Sequence, residues 1–190
     1  MKRGVFLLVL MLVGAFLMAD VIISEIADPK DETGARFIEL YNTGSSSVDI
    51  GDWKIVIYYN GNTNPGATVT IPSGTTLESG KCYVIANGSK FDSYYNTTAN
   101  QYSGSINSNG DDTHVLEDAS GTMIDIYGEI GVDGTGKAWE FSDRVAYRNS
   151  SVNHANTTWT SSEWTIVSEN GAQNGTPGTH TCSINTWMFE

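Results

Sequence analysis

Short runs rich in Val, Ile, Tyr, Trp and Thr recur along this chain, each ended by Gly, Asn, Ser or Asp. That rhythm restricts the fold more than any other feature. The runs cover residues 21–26, 37–41, 53–59, 67–71, 82–86, 113–117, 122–127, 139–148 and 163–167. β-Branched and aromatic side chains suit a pleated, half-buried surface, whereas Gly and Asn tolerate the positive φ of tight turns. The clusters at 42–47, 60–66 and 108–111 therefore read as loops, and Asp118-Ala119-Ser120-Gly121 as a hairpin loop. Ser89 ahead of Asp92 marks one or two helical turns running to Tyr95. No long segment keeps a 3.6-residue apolar period, and no repeat of solenoid length occurs. Many short strands without helices between them predict an all-β protein, an antiparallel sandwich or barrel.

Alternation assigns the faces. In the run at 37–41, Ile38 and Leu40 share one side while Phe37, Glu39 and Tyr41 share the other. Trp53, Ile55 and Ile57 likewise point together, and a Trp opening a strand is most simply core.

The chain of 190 residues is long enough for one domain with a real core. Its 22 Asp and Glu against 10 Lys and Arg give a net charge of −12, which argues against free nucleic acid as a partner. Lys2 and Arg3 precede the apolar run at 4–18, which ends at Ala19. A basic start, a short apolar stretch and a small residue are the layout of a secretory signal peptide, here residues 1–19. An uncleaved anchor is the alternative, but the run is short for a spanning helix and no basic stop-transfer cluster follows. Cleavage after Ala19 removes two basic residues, takes the charge from −12 to −14 and leaves no membrane span. The chain is thus expected to be secreted, extracellular or at the cell surface.

Three segments together resemble the lamin tail domain family of immunoglobulin-like β-sandwiches. They are Val21-Ile22-Ile23-Ser24-Glu25-Ile26 with Phe37-Ile38-Glu39-Leu40-Tyr41-Asn42, then Val48-Asp49-Ile50-Gly51-Asp52-Trp53-Lys54-Ile55, then Leu77, Gly80 and Tyr83-Val84-Ile85-Ala86-Asn87. Farther on, Ile124-Asp125-Ile126-Tyr127-Gly128, Trp139, Asp143-Arg144-Val145-Ala146-Tyr147-Arg148, Ser162-Glu163-Trp164 and the closing turn Gly175-Thr176-Pro177-Gly178 are similar to the secreted bacterial branch. The resemblance implies one sandwich over residues 20–180 with a signal-peptide helix before it and a tail at 181–190. Residues 91–112 form a loop insert outside the family pattern. The family is non-catalytic, so the resemblance implies a secreted module for extracellular binding or adhesion, with an extracellular protein or polysaccharide as partner. Two alternatives stay open: an accessory domain of a secreted nuclease or phosphodiesterase, and a structural spacer in a cell-surface protein.

Candidate site residues fall in three groups. Asp28 and Asp31 in the acidic loop, with Glu25 and Glu39 in the flanking strands, supply the hard oxygens that Ca²⁺ takes, although the spacing is no EF-hand and Lys30 interrupts it. A solvated turn is the alternative there; Glu39 is also expected to be architectural, satisfying a neighbouring backbone donor or pairing with Arg36 or Arg144, and Asp143 is expected to pair with Arg144 and Arg148. Tyr58, Tyr59, Tyr94, Tyr95 and Tyr102 sit among Asn, Ser and Gly, the composition of a contact surface, with loop packing as the alternative. Cys82 and Cys182 fit either a disulfide or two free thiols. The sequence contains no nucleophile elbow, P-loop or zincin motif, and His114, His154 and His180 lack zinc spacing, so neither an enzyme nor a bound cofactor is expected.

Overall fold

The computed structural model describes residues 21–168 and 175–183, so the expected signal peptide lies outside the described residues. Its strands are β1 (Val21–Ala27), β2 (Phe37–Asn42), β3 (Val48–Asp49), β4 (Lys54–Tyr58), β5 (Ala67–Thr70), β6 (Thr76–Leu77), β7 (Cys82–Ala86), β8 (Gln101–Tyr102), β9 (Thr113–Glu117), β10 (Met123–Tyr127), β11 (Arg144–Arg148) and β12 (Trp164–Ser168). One sheet has the order β12-β11-β1-β2-β7-β8, a second β10-β9-β4-β5, and a small ribbon joins β3 to β6. Pairing is antiparallel except between β7 and β8. Of the sandwich and barrel that the strand rhythm allows, this is the sandwich, and the immunoglobulin-like form is the one the family resemblance implies.

The alternation in β2 sorts its side chains as expected. Ile38 and Leu40 enter the core between the sheets, where they meet Ile55, Ile57, Ile85 and Leu116. Each fully buried side chain of this kind contributes about 1.5–3 kcal/mol relative to exposure. Phe37 lies on the opposite face with Val84, Ala86 and Val145, under Phe91 and Ala99. Both faces of the six-stranded sheet are therefore covered, and all seven residues of β1 are buried.

The insert at 91–112 provides much of that outer cover. It holds the helix α1 (Lys90–Tyr95) and β8, and Phe37 packs edge-on against Phe91 and Tyr95. The run at 139–148 is a strand only from Arg144 onward. Asp143 has a φ of 54°, which breaks the extended chain there, while Trp139 and Phe141 fold back into the core. The two-residue strands β3, β6 and β8 are too short to leave a period in the sequence.

Side chains close both flanks of the sandwich. Gln101 of β8 donates through Nε2 to the Thr70 carbonyl of β5 at 3.0 Å. On the opposite flank Asp125 of β10 accepts the Ile23 N–H of β1 at 2.8 Å, beside a β-bulge between Ile23 and Glu25.

Candidate functional site

β1 and β2 pair in a register that sets Glu25 opposite Glu39, and both carboxylates are buried. Two adjacent acids stripped of water repel each other and need donors on every side. The closing segment supplies them. Thr176 gives its N–H to Glu25 Oε1 at 2.8 Å and its hydroxyl to Oε2 at 3.1 Å. Gly178 gives its N–H to Glu39 Oε2, and the Ser24 hydroxyl reaches Oε1 at 2.7 Å. Gly178 has a φ of 86°, open to glycine at little strain, so this turn can aim its amides at the sheet. Burial pushes the Glu39 carboxyl above its usual range, and donors from Gly178, Ser24 and Cys82 hold it down in part.

Past the turn, the chain runs over the end of the sheet. The His180 ring meets the Tyr41 ring edge-on at 4.8 Å, and its backbone N–H faces the Cys82 sulfur. Cys182 donates its thiol to the Val152 carbonyl at 3.1 Å, and Ser183 N–H bonds to Ser150 O at 2.7 Å. Nearby, Thr43 Oγ1 donates to Asn153 O at 2.9 Å and Ser79 Oγ to Gly44 O at 2.5 Å. These cross-ties brace an open cavity of about 350 Å³. Thr43, Gly44, Ser45 and Ser79 line it from the strand turns, and Asn153, Cys182 and Ser183 from the later chain.

Cys182 Sγ lies 3.7 Å from His180 Nε2, which poses the question of a nucleophile. Burial raises the thiol and lowers the imidazole, leaving both neutral at physiological pH. An activated cysteine needs the reverse shifts, so this contact is a weak hydrogen bond and not a thiolate–imidazolium pair. Cys82 is more inert still, pushed up to about 12 by burial and then by the charge of Glu39.

A second polar cluster sits at the flank closed by Asp125. Arg148, only 2% exposed, spans Asp125 at 3.3 and 3.4 Å and Glu163 at 2.9 Å. Its guanidinium also lies 4.8 Å above the Trp164 ring. Asp125 further accepts the N–H groups of Ile23 and Asn156. Burial pushes Asp125 up to about 6 against the opposing pull of Arg148 and these amides. Every oxygen of this acid is engaged in holding β10, β11 and β1 together, which makes the cluster a corner brace.

The chain matches the lamin tail domain family over residues 18–131, more than half its length. It belongs to that family. The match covers β1 to β10 and ends before Trp139, although the resemblance in the sequence also took in residues up to His180. In this lamin tail domain, β11, β12 and the closing turn extend the sandwich beyond the matched stretch. A comparison with curated proteins finds no match.

The lamin tail domain does not assemble the four carboxylates set out for Ca²⁺. Asp28 accepts Arg36 Nε at 2.6 Å and the Asp143 N–H at 3.2 Å, while Glu25 and Glu39 are taken by the closing turn. Asp31 stands exposed with a φ of 59°, and the described residues contain no group of three or more His, Cys, Asp or Glu placed for a metal. Of the two partners expected for Glu39 it has the backbone donor, the Gly178 N–H, and neither Arg36 nor Arg144, because its face of the sheet is covered by residues 176–178. Arg148 pairs with Asp125 and Glu163, where Asp143 was expected.

The tyrosines do not form one surface. Tyr58 packs with Val56, Val115 and Ile126 on the outer face of the four-stranded sheet, and Tyr59 packs under Gly66. Tyr95 fills the space between Phe37, Phe91 and Gly175, and Tyr94 meets it edge-on at 4.8 Å. Tyr102 is 42% exposed, yet its hydroxyl bonds to Asp92 at 2.5 Å and accepts the Ala99 N–H. Cys82 and Cys182 are both free thiols here. The cavity went unnoticed in the sequence because it joins turns near 43 and 79 to segments near 153 and 182; the Thr/Ser/Asn richness of those stretches was its one local sign.

Proposed function

We propose that this lamin tail domain works outside the cell as a non-catalytic binding or adhesion module. One observation carries the reading: the turns at one end of the sandwich are cross-tied into a preformed, open cavity, the usual place for recognition on a rigid scaffold. Membership of an immunoglobulin-like family supports it. The basic start and apolar run of residues 1–19 support export. Elsewhere the buried acids are engaged in architecture: Asp125 in the corner brace, Glu25 and Glu39 under the closing turn, Asp28 on Arg36.

The test is to express the whole chain in a secreting host and probe the medium with insoluble polysaccharides and cell-wall fractions. The expected protein begins at Asp20 and is retained by at least one fraction. Protein that stays inside the cell, or that no fraction retains, overturns the reading.

A further inference from the structure

We propose that the cavity beside the closing segment binds a neutral polyhydroxylated ligand, such as one or two sugar units of a polysaccharide. This rests on the binding-module reading above and gives that module a ligand class. The argument turns on where the protons of the lining point. Thr43 has given its hydroxyl proton to Asn153 O, Ser79 to Gly44 O, and Cys182 its thiol proton to Val152 O. Ser183 likewise directs its hydroxyl at Ser150 Oγ, 3.5 Å away. A hydroxyl that has donated still has lone pairs, so Ser79 and Ser183 offer a ligand acceptors.

An acceptor-rich wall fits a ligand that brings many O–H donors of its own. Anions are disfavoured: they require donors or positive charge, no Lys or Arg lines the cavity, and the chain as a whole carries −12. Hard cations are disfavoured as well, since they take carboxylate oxygens and no Asp or Glu lines it. A neutral polyol needs neither. The Asn153 carboxamide adds one group able both to donate and to accept, which orients a sugar ring.

Size agrees with this chemistry. A volume of about 350 Å³ lies at the small end of ligand cavities, room for a short saccharide and little more. No aromatic ring lines the cavity for a sugar to stack on, so affinity comes from hydrogen bonds and falls near ~0.1–1 mM for a trisaccharide.

Cys182 is a built-in reporter, because its thiol lines the cavity while Cys82 lies beneath the closing segment. The full chain is treated with iodoacetamide at alkaline pH, and alkylation of each cysteine is followed by mass spectrometry. Cellotriose, mannotriose and chitotriose are added at about 10 mM, with trigalacturonate as the anionic comparison. At least one neutral trisaccharide should slow alkylation of Cys182 roughly tenfold or more, leave Cys82 unchanged, and shift the backbone amides of Gly44, Ser45 and Asn153 in NMR spectra. Trigalacturonate should do none of this. Ser45→Trp, which sets an indole at the exposed rim, and Asn153→Trp from the opposite wall should each abolish protection without lowering the Tm.

Failure of all three neutral sugars to protect Cys182 or move those amides overturns the assignment. So does equal protection by trigalacturonate, or protection that survives both tryptophan variants. If the polysaccharide pull-down succeeds while Cys182 stays unprotected, the module reading stands and this site falls. If the pull-down fails too, both fall.

Discussion

Asp125 and the Glu25–Glu39 pair are buried to the same depth, but Asp125 is held by an arginine and the pair by the closing turn. Arg148 spans its carboxylate and reaches Glu163, its guanidinium lies over the Trp164 ring, and its buried Nε has no hydrogen-bond partner among the described residues. Glu25 and Glu39 are held by the amides and hydroxyls of Ser24, Thr176 and Gly178. The first arrangement is a charge balanced by a charge, inside the sandwich proper. The second depends on a short segment staying docked, because amide donors leave when the backbone that carries them leaves. Failure of the first is therefore expected to be global, and failure of the second local.

The largest expected effect tests the first half of this contrast. Arg148→Met leaves Asp125 and Glu163 without their cation and should destabilise the fold by about 3–5 kcal/mol, read from urea unfolding. Adding Asp125→Asn should return a good part of that loss, since the uncompensated charge is gone. A single Arg148→Met variant within about 1 kcal/mol of the parent would break the comparison, because surface pairs behave that way.

His114 sharpens the contrast with a buried group that has, among the described residues, no charge partner and a backbone hydrogen bond, to Asp112, at one nitrogen alone. It sits 1% exposed beside Phe141, without a partner at Nδ1, and burial lowers it to about 4. The unfolded chain takes up this proton near pH 6.5, whereas the folded chain refuses it until near pH 4. Stability from His114 is thus present above pH 6.5 and is lost as pH falls through that window, by about 3 kcal/mol in all. Relative to the parent, His114→Leu should gain about 3 kcal/mol as pH falls from 6.5 to 4, since the opposite contribution of Asp125, which takes its proton near 6, is common to both. A variant with the parent's slope would assign that acid sensitivity elsewhere.

The smallest effect belongs to the closing turn. Glu39→Gln keeps one acceptor and should lower stability by only about 1–2 kcal/mol. Hydrogen exchange should show faster amides at Thr176 and Gly178 while Ile38 and Ile85 stay protected. Uniform loss of protection across the sheet would erase the distinction between local and global failure.

Much of the scaffold was legible before any coordinates. Alternation placed Ile38 and Leu40 inside, and the Asp118–Gly121 loop forms its hairpin, with Asp118 Oδ1 accepting the Ser120 and Thr122 amides. Those features are local, set by side-chain period and turn chemistry. The strand drawn through 139–143 failed because a single positive φ at Asp143 leaves no period to read. The polar sites were hidden for a different reason. The strand left Glu39 open to a backbone donor or an arginine, because its partner Gly178 stands far along the chain and a backbone amide has no residue signature. Arg148 found Asp125 in place of Asp143 because sheet order, not sequence proximity, decides which charges meet.

The place of β1 has a consequence for how the domain comes into being. It is the first described strand, yet it lies between β2 and β11, with Glu25 opposite both Glu39 and Tyr147. During synthesis one of its edges is covered early, while the other must wait for a strand made more than a hundred residues later. Until then an apolar edge stays open to pairing with other chains, and topologies with such distant partners fold slowly. A partly made chain is thus most prone to aggregate just before Arg144–Arg148 arrives, and that strand releases it from the risk.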